Sequence, residues 1–270
     1  MSSTYIVADI GISHNGSLTI AKQLIGQAKL CGVDAVKFQL FKNFPDLTQY
    51  ELSESEIAEC FTYAKQLSLD AFATPFDKPS IEFLSDYQTT WKIPSGFATN
   101  RDYIGMIIDQ SPEHLILSTG MCNIHEVIES VGYIKTAWRD YCHEKFTVLQ
   151  CTTDYPADID TINLNVLYQY AGRQYGLSLH TPNIYIPAAA VAMGAKVIEV
   201  HITTDRTQPG GDHAASYDAT LLKEMVIGVR HVERALGDGV KRPSEEEKLV
   251  VEEIRSKMEK SFNCIPEEAT

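Results

Sequence analysis

The sequence predicts a (β/α)8 barrel with one extra carboxyl-terminal helix, and three observations point to it. Eight short apolar runs each end on a polar residue able to do chemistry: Ile6–Asp9, Ala35–Gln39, Ala71–Thr74, Trp91–Ser95, Leu115–Ser118, Thr147–Thr152, Gly176–His180 and Val197–His201. Seven of the eight stretches that follow can hold a helix. The length, 270 residues, suits one such barrel, typically ~250 residues, with a short remainder. Short apolar strands alternating with helices imply a parallel sheet covered on both faces. No GxGxxG opens a helix, which speaks against an open dinucleotide-binding sheet.

The elements follow in order. The first strand runs from Tyr5 to Ile10 and closes at Gly11. Ser17 caps a helix through Leu30 whose Ile20, Leu24, Ile25 and Ala28 share one face, and Gly32 ends it. Ala35 to Leu40 is the second strand, and Ser53 with Glu56 forms a capping box for a helix to Leu67. Asp70 to Thr74 is the third strand, stopped by Pro75, and a helix from Pro79 to Asp86 follows. Trp91 to Pro94 precedes a helix capped by Asn100, and His114 to Ser118 precedes one from Ile124 to Trp138. Phe146 to Cys151 leads to a short helix from Asn163 to Tyr170, and Gly176 to Leu179 to a helix from Pro187 to Met193. Val197 to Ile202 is the eighth strand, and Asp218 caps the last barrel helix, which reaches Leu236. The barrel is therefore placed over 1–240. Residues 241–270 form a helical extension, with Ser244 and Glu247 as a capping box, a helix to Lys260 and a frayed tail to Thr270.

Composition narrows the function classes. With 44% hydrophobic and 22% charged residues the chain reads as globular. A net charge of −13 excludes a nucleic-acid partner, which needs a basic face, but leaves room for a small anion beside a local pair of lysines. The six cysteines form no CxxC pair and no metal-finger spacing. Met1 to Tyr5 runs straight into a strand and no apolar run approaches ~18 residues, so the expectation is a cytoplasmic protein without a membrane partner.

The carboxyl ends of barrel strands meet at one mouth, where such barrels place their chemistry. His180 and His201 end neighbouring strands, ~4.8 Å apart in a sheet, so the two imidazoles either grip one divalent metal or hydrogen-bond within the mouth. Lys37 and Lys92 are costly to bury unless an anion answers them. With Thr74, Ser95, Ser118, Thr152, Thr153 and Ser178 they form a cradle for a phosphate or carboxylate, or one of them serves as a Schiff-base lysine. Asp9, Gln39, Tyr155 and Asp212 are placed to read the hydroxyls of a second substrate. The loop from Thr204 to Ser216 lies where a lid or specificity loop would sit, Cys151 at the end of the sixth strand either lines the pocket or serves as packing, and His14 reads as a loop-stabilising residue.

The wording of the strand ends is more specific. Ala8-Asp9-Ile10-Gly11 with His14-Asn15-Gly16, then Val36-Lys37-Phe38-Gln39, Ala73-Thr74-Pro75-Phe76 and Lys92-Ile93-Pro94-Ser95-Gly96 all resemble the N-acetylneuraminate (sialic acid) synthase family. Leu117-Ser118-Thr119-Gly120-Met121, Gln150-Cys151-Thr152-Thr153-Asp154-Tyr155-Pro156, Leu177-Ser178-Leu179-His180-Thr181, Glu199-Val200-His201-Ile202-Thr203 and Pro209-Gly210-Gly211-Asp212-His213 continue the resemblance in the family's order. It implies condensation of phosphoenolpyruvate with an N-acetylmannosamine-like aldose, or a related aldehyde, to a 2-keto sugar acid and phosphate. By position it implies His180 and His201 as ligands of a divalent metal ion, Mn2+ or Mg2+. Lys37, Thr74, Lys92, Ser95, Ser118, Thr153 and Ser178 would hold phosphoenolpyruvate. Asp9, Gln39, Tyr155 and Asp212 would face the sugar, with Asp9 or Asp212 handling protons, in a homodimer.

Departures accompany the resemblance. Asp9 stands where the family has Glu, Phe97 where it commonly has a carboxylate, and Leu179 where it has Asp beside the first histidine. The loop from Phe41 to Leu52 is short, and the family's antifreeze-like domain is missing after Arg255-Ser256. The losses fall on the sugar side. A Schiff-base aldolase and a non-catalytic phosphosugar- or partner-binding barrel are the competing readings.

Overall fold

A computed structural model describes residues 3–42, 44–210 and 212–263; the expected frayed tail and Cys264 lie outside them. Eight strands, β1 (Tyr5–Gly11), β2 (Ala35–Leu40), β3 (Asp70–Pro75), β4 (Thr90–Ile93), β5 (His114–Ser118), β6 (Phe146–Cys151), β7 (Gln174–Leu179) and β8 (Val197–His201), alternate with helices. The barrel helices are α1 (Leu18–Cys31), α2 (Glu54–Gln66), α3 (Lys78–Leu84), α4 (Arg101–Ile108), α5 (Ile124–Ala137), α6 (Tyr185–Ala192) and α7 (Ala219–Leu236). All pairings are parallel, in the order β3-β2-β1-β8-β7-β6-β5-β4, and the result is a nearly closed (β/α)8 barrel. Contacts divide the chain into two compact units, 1–235 and 236–270. The second unit carries α8 (Glu245–Asn263), whose Ser244–Glu247 capping box forms as expected.

Local signals act where they should. Ser17 accepts from the Ile20 N–H, Gly32 ends α1 at φ 87°, and capping boxes at Ser53–Glu56 and Asn123–Glu126 open α2 and α5. One element differs from expectation: the segment after β6 is a 3-10 helix, Leu164–Tyr170, entered by Asn163 in a left-handed conformation. The seven-residue α3 has Asp77 as a side-chain cap, whereas Asn163 makes no capping hydrogen bond and only Leu167 and Tyr170 of its segment are buried.

The sheet opens between β3 and β4, and a side chain bridges the gap. Gln88 accepts from the Ala73 N–H (2.7 Å) and donates to the Ala73 carbonyl (3.0 Å), replacing a ladder pair. Inside the barrel, Val7, Ala35, Phe72, Ile116, Leu149 and Val197 pack into an apolar plug. Side chains alternate along a strand, so each plug residue is followed two positions later by one on the same inner face. Those next residues are Asp9, Lys37, Thr74, Ser118, Cys151 and Glu199, and all line one cavity. The plug is the floor of the site. Among the described residues no helix is long and apolar enough to cross a membrane.

Two stability predictions follow from this packing. Gln88→Leu leaves the buried Ala73 N–H and C=O unpaired, at ~1–3 kcal/mol each. It should lower the denaturation midpoint by an amount equal to ~2–5 kcal/mol without changing the folded far-UV spectrum. His14 is 1% exposed, and burial holds its imidazole down to about 4. The folded chain thus binds fewer protons there than the unfolded one, whose histidine titrates near ~6.5. Its contribution is complete above that value and is lost as pH falls towards 4, by ~3 kcal/mol. His14→Gln should flatten that stretch of the stability–pH curve, measured by urea unfolding.

Candidate active site

Of the fourteen residues singled out in the sequence as catalytic, substrate-binding or metal-holding, thirteen line one cavity of ≈ 330 Å³ at the carboxyl end of the barrel. Thr152 does not, because its hydroxyl turns away to donate to the Thr161 carbonyl at 3.0 Å. Strand register explains the closest contacts. Asp9 pairs in register with Lys37 on β2 and with His201 on β8. Its carboxylate accordingly lies 2.6 Å from Lys37 Nζ and 3.4 Å from His201 Nε2. A bulge between Asp9 and Gly11 ends that register, and Asp9 Oδ1 accepts from the Gly11 N–H at 2.9 Å.

The sequence reading missed Glu199. It stands two residues before His201, on the same inner face of β8, a parity that would have identified it. Ser178, its partner in register on β7, donates to Glu199 Oε1 at 3.0 Å. Lys92 Nζ is 3.3 Å and Lys37 Nζ 3.9 Å from the same carboxylate. Burial alone would raise the Glu199 carboxyl, but Lys37, Lys92 and His201 outweigh it and hold it at about 2. Burial also opposes charge on both lysines. At Lys37 it is overcome by Asp9 and Glu199, which raise the ammonium above its ordinary range. At Lys92 burial prevails over Glu199 and the value falls.

His180 donates from Nδ1 to the Thr152 carbonyl at 2.7 Å, which directs the Nε2 lone pair towards the cavity, 3.2 Å from Tyr155 OH. Tyr155 stacks on that ring at 4.1 Å, and the rings of His180 and His201 are 5.3 Å apart. The Cys151 thiol lies 3.9 Å from His180. Burial opposes charge on both, yet their mutual contact lowers the thiol and raises the imidazole. Ser95 accepts from the Gly120 N–H at 3.0 Å, and a Cβ on Gly120 would stand 2.0 Å from Thr153 Oγ and 2.8 Å from Ser95 Oγ. The cradle hydroxyls sit that close because residue 120 has no side chain.

Three buried atoms around this cavity lack a hydrogen-bond partner, Ser118 Oγ, Glu199 Oε2 and His201 Nδ1, although Lys37 and Asp212 face the last two at 3.9 and 3.3 Å. Buried polar atoms are nearly always satisfied, so a ligand reaching them would supply the missing bonds. Among the described residues no group of three or more His, Cys, Asp and Glu converges on one point. A divalent ion held by His180 and His201 would therefore need solvent or substrate to complete its shell. Charge agrees with that fit. Two ammonium groups face three carboxylates, Asp9, Glu199 and Asp212, so an anion would be bound more readily once a divalent cation is added.

Two of the departures lie away from the cavity. Phe97 stacks on Tyr103 at 4.1 Å and packs against the outer core. Leu179 is buried in that same core, on the opposite face of β7 from Ser178 and His180.

Comparison with known proteins agrees with this geometry. The NeuB family pattern matches residues 44–241. The chain is 37% identical to an N,N'-diacetyllegionaminic acid synthase of Legionella pneumophila, over 90% of this chain and 76% of that protein. It is 32% identical to the human N-acetylneuraminate-9-phosphate synthase, over 88% and 72%. The crystal structure of an N-acetylneuraminic acid synthetase from Leptospira borgpetersenii superposes with a TM-score of 0.83 at 27% identity, covering 94% of this chain and 92% of that one. The family match over residues 44–241, the identity to named relatives and the shared fold make this chain a member of the NeuB family of sialic-acid-type synthases.

Proposed function

We propose that the chain condenses phosphoenolpyruvate with an N-acetylmannosamine-like aldose, or a related aldehyde, in the presence of Mn2+ or Mg2+, giving a nine-carbon 2-keto sugar acid and phosphate. The observation that carries this reading is the set of unpaired buried atoms, Ser118 Oγ, Glu199 Oε2 and His201 Nδ1, gathered with two buried lysines around one cavity. The relatives named as legionaminic and neuraminic acid synthases support the product class.

Lys37 and Lys92 supply the charge that holds the carboxylate and phosphate of phosphoenolpyruvate, and Thr74, Ser95, Ser118, Thr153 and Ser178 supply neutral donors around them. An incoming anion also offsets the burial that depresses Lys92. His180 and His201 would hold the metal, which supplies Lewis-acid polarisation of the aldehyde oxygen. C3 of phosphoenolpyruvate then bonds to the aldehyde carbon, and positive charge develops at C2. The Glu199 carboxylate, kept ionised by the lysines, lies in the same cavity to stabilise it. Water adds at C2, and the resulting hemiketal phosphate collapses by C–O cleavage to the ketone and inorganic phosphate. Asp9 and Asp212, each within 3.4 Å of a His201 ring nitrogen, are the groups placed to take up and return the protons. Gln39 and Tyr155 line the acceptor side.

The placement of Lys92 in the cavity lining, with burial lowering its ammonium, favours a second reading, a Schiff-base aldolase, whose lysine must give up its proton to attack a carbonyl. Borohydride reduction with pyruvate separates the two: a trapped adduct on Lys92 supports the aldolase.

Phosphate release from phosphoenolpyruvate, assayed with Mn2+ or Mg2+ and a panel of aldoses, should depend on both metal and acceptor, with product mass identifying the sugar acid. No release with any acceptor would overturn the proposal. Lys92→Met removes a charge-assisted contact of ~1.5–3 kcal/mol and should raise the phosphoenolpyruvate KM at least ~tenfold. His201→Ala should abolish metal-dependent turnover while leaving the thermal transition cooperative.

A further inference from the structure

The loop that carries Asp212 has little regular structure of its own. Between β8 and α7 its described residues form one 3-10 turn, His213–Ala215, and an isolated bridge between Ile202 and Tyr217. Yet Asp212 Oδ2 stands 3.3 Å from His201 Nδ1, the buried nitrogen that lacks a hydrogen-bond partner. The next residue offers an anchor. His213 is fully buried, and both of its ring nitrogens are engaged with neighbouring segments.

Nδ1 of His213 lies 2.8 Å from Thr203 Oγ, just beyond β8, and Nε2 lies 3.1 Å from Asn15 Oδ1, in the loop after β1. Asn15 in turn donates from Nδ2 to Gln208 Oε1 at 2.8 Å. Its amide nitrogen faces Gln208, so its oxygen is the acceptor and His213 donates through Nε2–H. Nδ1 is then the acceptor for the Thr203 hydroxyl. Asn15 itself sits at φ 51°, a conformation that asparagine tolerates better than most residues. One imidazole thus ties together the loop after β1, the end of β8 and the β8–α7 loop, directly beside Asp212.

We propose that His213 is a positioning residue: clamped between Thr203 and Asn15, it sets where the Asp212 carboxylate stands against His201. The consequence for turnover rests on the condensing role given to this cavity, whereas the geometric part does not. His213 acts on the reaction only through its neighbour.

The test is a double-mutant cycle read in two ways. In metal-free protein labelled with 15N-histidine, the His201 ring signals should move in His213→Ala and in Asp212→Asn. Adding His213→Ala to Asp212→Asn should then move them little further. Unmoved His201 signals in His213→Ala would overturn the clamp whether or not the protein turns over any substrate. In steady-state assays, His213→Ala should lower kcat at least tenfold with the phosphoenolpyruvate KM within threefold. In the Asp212→Asn background it should cost less than threefold. His213→Gln, whose amide offers one donor and one acceptor, should recover most of the loss. Equal losses in both backgrounds would mean a purely structural role and would overturn the proposal, while an inactive wild type with coupled His201 shifts would overturn only the condensing role. Asn15→Ala, which removes half of the clamp, gives the same His201 readout should His213→Ala fold poorly.

Discussion

Two ammonium groups buried at the floor of a cavity demand counter-charge, and the rest of the site is arranged around that demand. Breaking a buried ion pair by removing one partner costs ~3–5 kcal/mol, because the charge left behind has no water to turn to. Lys37 and Lys92 are 3% and 2% exposed, so neither is served by solvent. Asp9 answers the first, and Glu199 stands between both. In the proposed reaction, the carboxylates that balance the lysines at rest are also the groups beside which phosphoenolpyruvate binds. Glu199 at 3.3 Å does not fully offset the burial of Lys92, and Glu199 Oε2 has Lys37 only at 3.9 Å, beyond hydrogen-bond reach.

The depth of the site is set by the inward face of the barrel. An apolar layer of six side chains fills the interior, and the layer directly above it is polar on the same strands. Parallel register aligns the two layers, so a lysine on β2 and a histidine on β8 flank one aspartate on β1. The same register that secures the plug places the charged groups. A shift of one residue on β8 would turn Glu199 and His201 outwards together.

The departures expected from the sequence divide according to the face each residue occupies. Phe97 and Leu179 both pack against the outer core, the first stacked on Tyr103 and the second among aliphatic side chains. Asp9 faces inwards, and its shorter side chain still reaches both Lys37 and His201. The lysines, hydroxyls and imidazoles that serve phosphoenolpyruvate and metal in the proposed reaction are all present around one cavity.

Much was legible in the chain alone, because helix caps and strand periodicity are local. Ser17, Ser53 and Asn100 accept from helix N–H groups as their positions suggest, and three strands, β2, β5 and β6, fall on the residues expected of them. The strand-end residues were legible as a set because all eight parallel strands must end at the same mouth. Glu199 went unread although its parity was visible, since attention fell on the terminal histidine. The Gln88 bridge from beyond α3 to β3, the Thr203–His213–Asn15 network and the exact partners of Lys92 were decided only by tertiary structure. Those contacts join segments separated by up to 198 positions, and no local pattern constrains which distant side chain arrives opposite a given polar atom.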